Sequence, residues 1–251
     1  MNLREKYGEW GIILGATEGV GKAFAEKIAS EGMSVVLVGR REEKLQELGK
    51  SISETYGVDH MVIRADFAQS DCTDKIFEAT KDLDMGFMSY VACFHTFGKL
   101  QDTPWEKHEQ MINVNVMTFL KCFYHYMGIF AKQDRGAVIN VSSLTAISSS
   151  PYNAQYGAGK SYIKKLTEAV AAECESTNVD VEVITLGTTI TPSLLSNLPG
   201  GPAGEAVMKA AMTPEACVEE AFDNLGKSLS VIAGDHNKAN VHNWQANKTD
   251  D

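Results

Sequence analysis

Short apolar runs rich in β-branched residues alternate along this chain with longer segments whose apolar positions recur at helical spacing. Gly11 to Leu14 precedes a helical pattern from about Val20, Val35 to Val38 precedes one through Leu45 and Leu48, and Val62 to Arg64 continues the rhythm. Further runs lie near Phe87 to Val91, Ala137 to Val141, Val181 to Thr185 and Leu229 to Ala233. That alternation predicts βαβ units, and with them an α/β fold built as a doubly wound parallel sheet of about seven strands with helices on both faces.

Two stretches depart from the rhythm. Between Asn113 and Phe130 apolar residues fall on nearly every side, which predicts a helix buried all round. One face would cover the sheet and the other meet a second subunit, giving a homodimer or homotetramer; burial by the chain's own loops is the alternative. The Pro/Gly-rich stretch Pro192 to Gly204 reads as a loop over a site, and residues 188–212 as a substrate-covering loop with short helices.

Composition narrows the class. At 251 residues with 44% hydrophobic content the chain can bury a substantial core, and we expect a single domain over 1–251. A net charge of −10 argues against a nucleic-acid partner, which needs clustered Lys and Arg. Five cysteines, an odd number without close pairs, fit a reducing compartment better than a disulfide framework. No basic-then-apolar leader follows Met1, and no apolar run reaches the roughly 20 residues that span a membrane, so a cytoplasmic protein is expected. The polar end Asn247-Lys-Thr-Asp-Asp251 leaves open whether the chain is complete.

Immediately after the first predicted strand stands Gly15-Ala16-Thr17-Glu18-Gly19-Val20-Gly21, which then opens a helix. Glycines let backbone approach a pyrophosphate, and a helix N-terminus offers free N–H groups and partial positive charge. All seven positions except Ala16 are candidate cofactor contacts. The second strand ends in Gly39-Arg40-Arg41, where an acidic residue would have bound a 2′-hydroxyl; two guanidinium groups there favour NADP(H) over NAD(H). A solvated helix start is the plainer reading of Arg41 to Lys44. Asp66-Phe67 ends the third strand, and the Asp66 carboxylate either accepts from an adenine amino group or caps the next helix.

Tyr156 and Lys160 lie four residues apart in a helical segment and so share a face. A tyrosine with its ordinary pKa of about 10 is a poor base at neutral pH; a nearby ammonium favours the phenolate and lowers that value. Ser142-Ser143 follows a predicted strand, and a loop can return the Ser143 hydroxyl beside the phenol to hydrogen-bond a reacting oxygen. His95 reads as a packing or substrate-contact residue. The six histidines show no metal-ligand spacing, and no metal is expected.

The glycine turn, Asp66, Asn115 within Ile112-Asn-Val-Asn-Val116, Asn140-Val-Ser-Ser143, Tyr156 and Lys160 stand in the order and spacing of the short-chain dehydrogenase/reductase family, which the chain resembles over nearly its whole length. The resemblance implies a Rossmann-like fold and carbonyl–alcohol interconversion. It makes Tyr156 the general acid/base, Ser143 the polariser of the substrate oxygen, Lys160 the pKa-lowering and ribose-binding residue and Asn115 the holder of a relay water. Thr189 and Thr191, in Thr188-Thr-Ile-Thr191, would contact the nicotinamide carboxamide. Ala92-Cys93-Phe94-His95 replaces the family's Asn-Asn-Ala-Gly, and Leu186-Gly187 its Pro-Gly, so a changed pocket floor and loop angle are expected. These atypical stretches, with Tyr156-Gly-Ala-Gly-Lys160, resemble the NADP-dependent branch that acts on the 7β position of bile acids, implying a hydrophobic steroid substrate. Leu194, Leu195 and Met208 would close over such a ligand, or simply pack short helices onto the domain.

Overall fold

In the computed structural model residues 2–246 are described, and the polar end from Asn247 lies outside them. Seven strands form one parallel sheet in the order β3-β2-β1-β4-β5-β6-β7. The chain opens with α1 (Leu3–Tyr7) and β1 (Trp10–Leu14), then α2 (Gly19–Ser30), β2 (Ser34–Gly39), α3 (Glu42–Tyr56) and β3 (His60–Arg64). It crosses to the other half through α4 (Cys72–Thr80) and β4 (Met85–Tyr90). There follow α5 (Trp105–Ile112), α6 (Phe119–Gln133), β5 (Gly136–Ser143), α7 (Ala154–Glu173) and β6 (Val179–Leu186). Two short helices, α8 (Pro192–Ser196) and α9 (Gly201–Ala210), precede α10 (Pro214–Asn224), β7 (Ser230–Ile232) and α11 (Asp235–Ala246).

The period of the strands divides the core in two. Ile13, Val35 and Leu37 pack with α1, α2, α3 and α10 on one face, while their neighbours Ile12, Leu14, Val36 and Val38 pack with α4, α6 and α7 on the other. Both faces being covered explains why the strands read as continuous apolar runs.

In the single chain the helix expected over 113–130 covers the sheet with one face and leaves the other open, and it is not one regular helix. Residues Asn113–Thr118 form a π-helical turn that joins α5 to α6. Met117 is exposed, and Tyr124 is 80% exposed on the outer side, because α6 covers the sheet with Phe119, Cys122, Phe123, Tyr126 and Phe130 alone. Helix α1 was not anticipated. It is tied to the sheet end by the Tyr7 hydroxyl, which donates to Asp180 (2.6 Å), and by the Lys6–Asp180 ion pair (2.7 Å).

One side chain works against this core. Glu182 in β6 is 0% exposed, and neither carboxylate oxygen has a hydrogen-bond partner among the described residues. Burial pushes its carboxyl up to about 8. The unfolded chain ionises this group near 4.3, so between about pH 4.3 and 8 the folded state holds a proton that the unfolded state has lost. Stability therefore falls as pH rises through that window, by on the order of 3 kcal/mol at pH 7. Glu182→Gln removes the titration. The variant is expected to melt about 10–20 °C above the parent at pH 8 and to converge with it below pH 4.5, as read by scanning calorimetry; parallel pH profiles would contradict the assignment.

Candidate active site

The strand order reverses between β1 and β4, and a cleft of about 540 Å³ opens beyond the C-terminal ends of the strands there. Its floor is backbone. The Leu14 carbonyl accepts from Val91 N–H (2.9 Å) and Ala92 N–H (2.8 Å), while Gly15 N–H donates to Val38 (2.9 Å). A Cβ on Gly15 would stand 2.6 Å from the Ala92 nitrogen, and one on Gly21 would stand 2.0 Å from the Gly15 carbonyl oxygen. Only glycine permits this approach. Gly19, at φ +56°, starts α2 without a side-chain cap or an acidic residue in its first turn. The arrangement fits a pyrophosphate, since uncapped N–H groups at a helix start attract anions.

Gly15, Thr17, Glu18, Val20, Arg40 and Arg41 line the cleft; Gly19 and Gly21 shape the turn behind it. Gly39 must lack a side chain because its Cβ would meet the Thr17 hydroxyl at 2.7 Å. The two arginines differ. Arg41 is paired with Glu18 at 2.9 Å, and its guanidinium, more than any other group, holds the Glu18 carboxyl below the usual range. Arg40 is exposed and makes no ion pair among the described residues. Asp66 and Phe67 lie on the cleft wall, and Asp66 Oδ1 also accepts from Ala68 N–H (3.1 Å), closing the turn after β3; Asp71 takes the cap position of α4 instead.

At the other end of the cleft Ser143, Tyr156 and Lys160 come together. Helix α7 lies close against β5 and the π-helical turn because Tyr156-Gly-Ala-Gly-Lys160 is small where they meet. A Cβ on Gly157 would stand 3.0 Å from the Thr145 carbonyl oxygen, and one on Gly159 would stand 3.2 Å from Asn115 Cβ. Lys160 is 2% exposed, and its Nζ donates to the Val141 carbonyl (2.9 Å) while lying 5.8 Å from the centre of the Tyr156 ring. The Ser142 hydroxyl donates to the Lys160 carbonyl (2.9 Å), stitching strand to helix. Ser143 Oγ accepts from the Thr145 hydroxyl at 3.0 Å.

The Tyr156 phenol stands above its ordinary value, not below it. Burial pushes the phenol up, with Cys93 adding to it, and only the Ser143 hydroxyl pulls the other way. Burial likewise holds the Lys160 ammonium below its ordinary value. Lys160 points its Nζ at the Val141 carbonyl and not at the phenol oxygen. His95 is solvent-accessible, with its ring 5.5 Å from Tyr156 and 5.3 Å from Phe97; desolvation by the atoms packed around it first, then the Lys160 charge, holds it towards the neutral form. Asn115 lies behind the wall, 1% exposed, with Nδ2 donating to the Phe94 carbonyl (2.7 Å) and Oδ1 accepting from Phe94 N–H (2.9 Å). Its π-helical turn is of a kind that recurs at functional sites.

Of the residues expected from sequence to meet a substrate, His95 lines the cleft; Leu194, Leu195 and Met208 do not. Residues 188–212 do hold two short helices, but only Thr189, Thr191 and Ser193 of that stretch reach the wall. Thr189 Oγ1 donates to the Gly187 carbonyl (3.3 Å), and Thr191 Oγ1 accepts from Leu194 N–H (3.2 Å) to cap α8. Sequence reasoning missed Phe97 and Gln110 on the wall, while Cys93, in the stretch expected to change the pocket floor, does line the cleft. Phe97 is 70% exposed in a loop without periodicity, and its aromatic character next to His95 was the only signal available. Among the described residues no three His, Cys, Asp or Glu side chains gather as a metal site, and no helix is long and apolar enough to cross a membrane.

Known proteins share this chain's sequence and fold. A 7β-hydroxysteroid dehydrogenase of Mediterraneibacter gnavus is 74% identical over all 251 residues, which cover 95% of that protein. One of Collinsella aerofaciens is 75% identical over the same span and the same share. A solved structure from a study of 7β-hydroxysteroid dehydrogenase stereoselectivity superposes with a TM-score of 0.96 at 75% identity, covering 98% of this chain and 95% of that one. A short-chain dehydrogenase from Sphingobium yanoikuyae shares the fold at 21% identity, with a TM-score of 0.82 over 96% of this chain and 94% of the other. The short chain dehydrogenase profile matches residues 9–198, and with these relatives it establishes that the chain belongs to the short-chain dehydrogenase/reductase family.

Proposed function

We propose that this protein interconverts a 7-oxo and a 7β-hydroxy group on bile acids, with NADP(H) as hydride carrier. The observation that carries the chemistry is that Ser143, Tyr156 and Lys160 line the same cleft as the glycine turn and Arg40. The substrate rests on the 74–75% identity to 7β-hydroxysteroid dehydrogenases along the whole chain. The backbone-only floor at Gly15 and Gly21 supports a pyrophosphate, and the two guanidinium groups support a 2′-phosphate at the ribose.

Bound NADPH supplies the hydride. The chain's own residues handle the oxygen and its proton. In the reductive direction the Ser143 and Tyr156 hydroxyls hold the ketone oxygen, polarising the carbonyl, and Tyr156 donates its proton to that oxygen as the alcohol forms. Its raised pKa keeps the phenol protonated and ready to act as acid. Lys160 stands over the ring, stabilises the phenolate left behind and returns a proton to it, with Asn115 and a water completing the relay. In the oxidative direction the same groups work in reverse. Residues 188–212 form the substrate-covering segment of this reading, with His95 and Phe97 opposite. The same reading takes the protein as a cytoplasmic homodimer or homotetramer, supported by Met117 and Tyr124 on the outer side of the segment from Asn113 to Gln133.

Incubation of 7-oxolithocholate with NADPH is expected to yield the 7β-alcohol, identified by chromatography against both epimers. A 7α product, or activity confined to 3-oxo or 12-oxo bile acids, would redirect the reading to another hydroxysteroid reductase. Tyr156→Phe should lower kcat by about 10²–10⁴-fold and leave the NADPH Kd within about twofold, because the ring and its packing survive while the proton donor does not. Arg40→Ala should raise the KM for NADPH by about 10–100-fold, the loss of a charge-assisted contact, and change the KM for NADH little; equal kinetics for parent and variant would remove Arg40 from the site.

A further inference from the structure

The cofactor end of the cleft contains a carboxylate that the proposed function does not use. Glu18 occupies the N-cap position of α2, but its side chain makes no capping hydrogen bond. It reaches across the loop to Arg41 Nη1 at 2.9 Å, with Lys44 Nζ at 3.7 Å from the same oxygen. Glu18, Arg40 and Arg41 all line the cleft, so this ion pair stands where the ribose 2′ position is read. Arg41 thus already holds an anion, while Arg40 holds none among the described residues.

Resting on the NADP(H) reading above, we infer that Glu18 is a specificity-determining residue that competes with the 2′-phosphate for Arg41 and so reduces the preference for NADP(H) over NAD(H). The physical grounds are direct. A 2′-phosphate binds by charge-assisted hydrogen bonds to guanidinium groups, and it must take over donors that Glu18 now uses. It must also bring its own negative charge towards the Glu18 carboxylate. A 2′-hydroxyl carries no charge and needs neither donor nor neutralisation, so Glu18 weighs on one cofactor and not on the other. Both partners of the pair are partly exposed, with side-chain accessibilities of 47% for Arg41 and 32% for Glu18. Exposed pairs of this kind are weak, which lets a phosphate displace the carboxylate instead of being shut out.

The alternative, that Glu18 positions Arg41 for the phosphate, gives the opposite sign. Glu18→Gln keeps the shape and removes the charge, while Glu18→Ser removes both and supplies a good cap for α2. Dissociation constants for NADPH and NADH are measured by calorimetric titration at one ionic strength on the parent and both variants. The inference expects NADPH to bind about 3–10-fold more tightly to each variant with NADH changed less than about twofold, and expects the gain to shrink as salt is raised. Weaker or unchanged NADPH binding in the variants overturns it in favour of a positioning or neutral role. Equal tightening of NADPH and NADH also overturns it, since the charge then acts on the shared pyrophosphate. Parent protein that binds NADPH no more tightly than NADH overturns the NADP(H) reading itself, and this inference with it.

Discussion

A buried ammonium sets the terms for the catalytic half of the molecule. Lys160 is 2% exposed, and charge so far from water is tolerated only where hydrogen bonds replace hydration. The Val141 carbonyl provides one at the C-terminal end of β5, where strand geometry leaves backbone groups free to serve a side chain. For Nζ to reach it, α7 has to lie almost on the strand, which accounts for Gly157 against Thr145, Gly159 against Asn115 and the Ser142 bond to the Lys160 backbone. Tyr156, four residues earlier on the same face, is carried to the cleft by that packing. The position of the phenol thus follows from how the lysine is buried.

The cofactor end obeys a different constraint. There the decisive contacts are between backbones, Leu14 to Ala92 and Gly15 to Gly21, and they leave no room for a Cβ at Gly15 or Gly21. Outside this rigid floor stand long, partly exposed side chains, Arg40, Arg41 and Glu18. In the proposed function the division makes chemical sense: the pyrophosphate common to both nicotinamide cofactors would meet backbone, while the 2′ substituent that distinguishes them would meet charge.

Much of this was legible in the chain because both faces of the sheet are buried, so each strand announces itself as an apolar run. Strand limits were less legible, since β5 and β6 continue into polar residues, Ser142-Ser143 and Asp180, that pair by backbone alone. Helix α1 has five residues and depends on Tyr7 meeting Asp180, a contact across most of the chain that no local pattern encodes. The π-helical turn was invisible for the same reason. For the site, residue type and spacing gave Ser143, Tyr156 and Lys160 but not the direction of the Tyr156 shift, which depends on burial. Apolarity suggested Leu194, Leu195 and Met208 as closing over a ligand or as packing short helices onto the domain, and apolarity does not say which way a short helix turns; of the neighbouring aromatics it is Phe97, from another loop, that lines the cleft.

The departure at Ala92-Cys93-Phe94-His95 has a structural explanation. Asn115 holds this loop through the N–H and the carbonyl of Phe94, groups that every residue except proline presents alike. Ala92 likewise joins the floor through its N–H to Leu14. Side chains at these positions are therefore free of the task of keeping the loop in place, and bulk can be added on the cleft side without moving Tyr156 or Lys160. His95 uses that freedom by setting its ring between Tyr156 and Phe97. The same backbone clamp thus lets an atypical run of side chains stand beside Tyr156 and Lys160 while the loop itself stays held by Asn115 and Leu14.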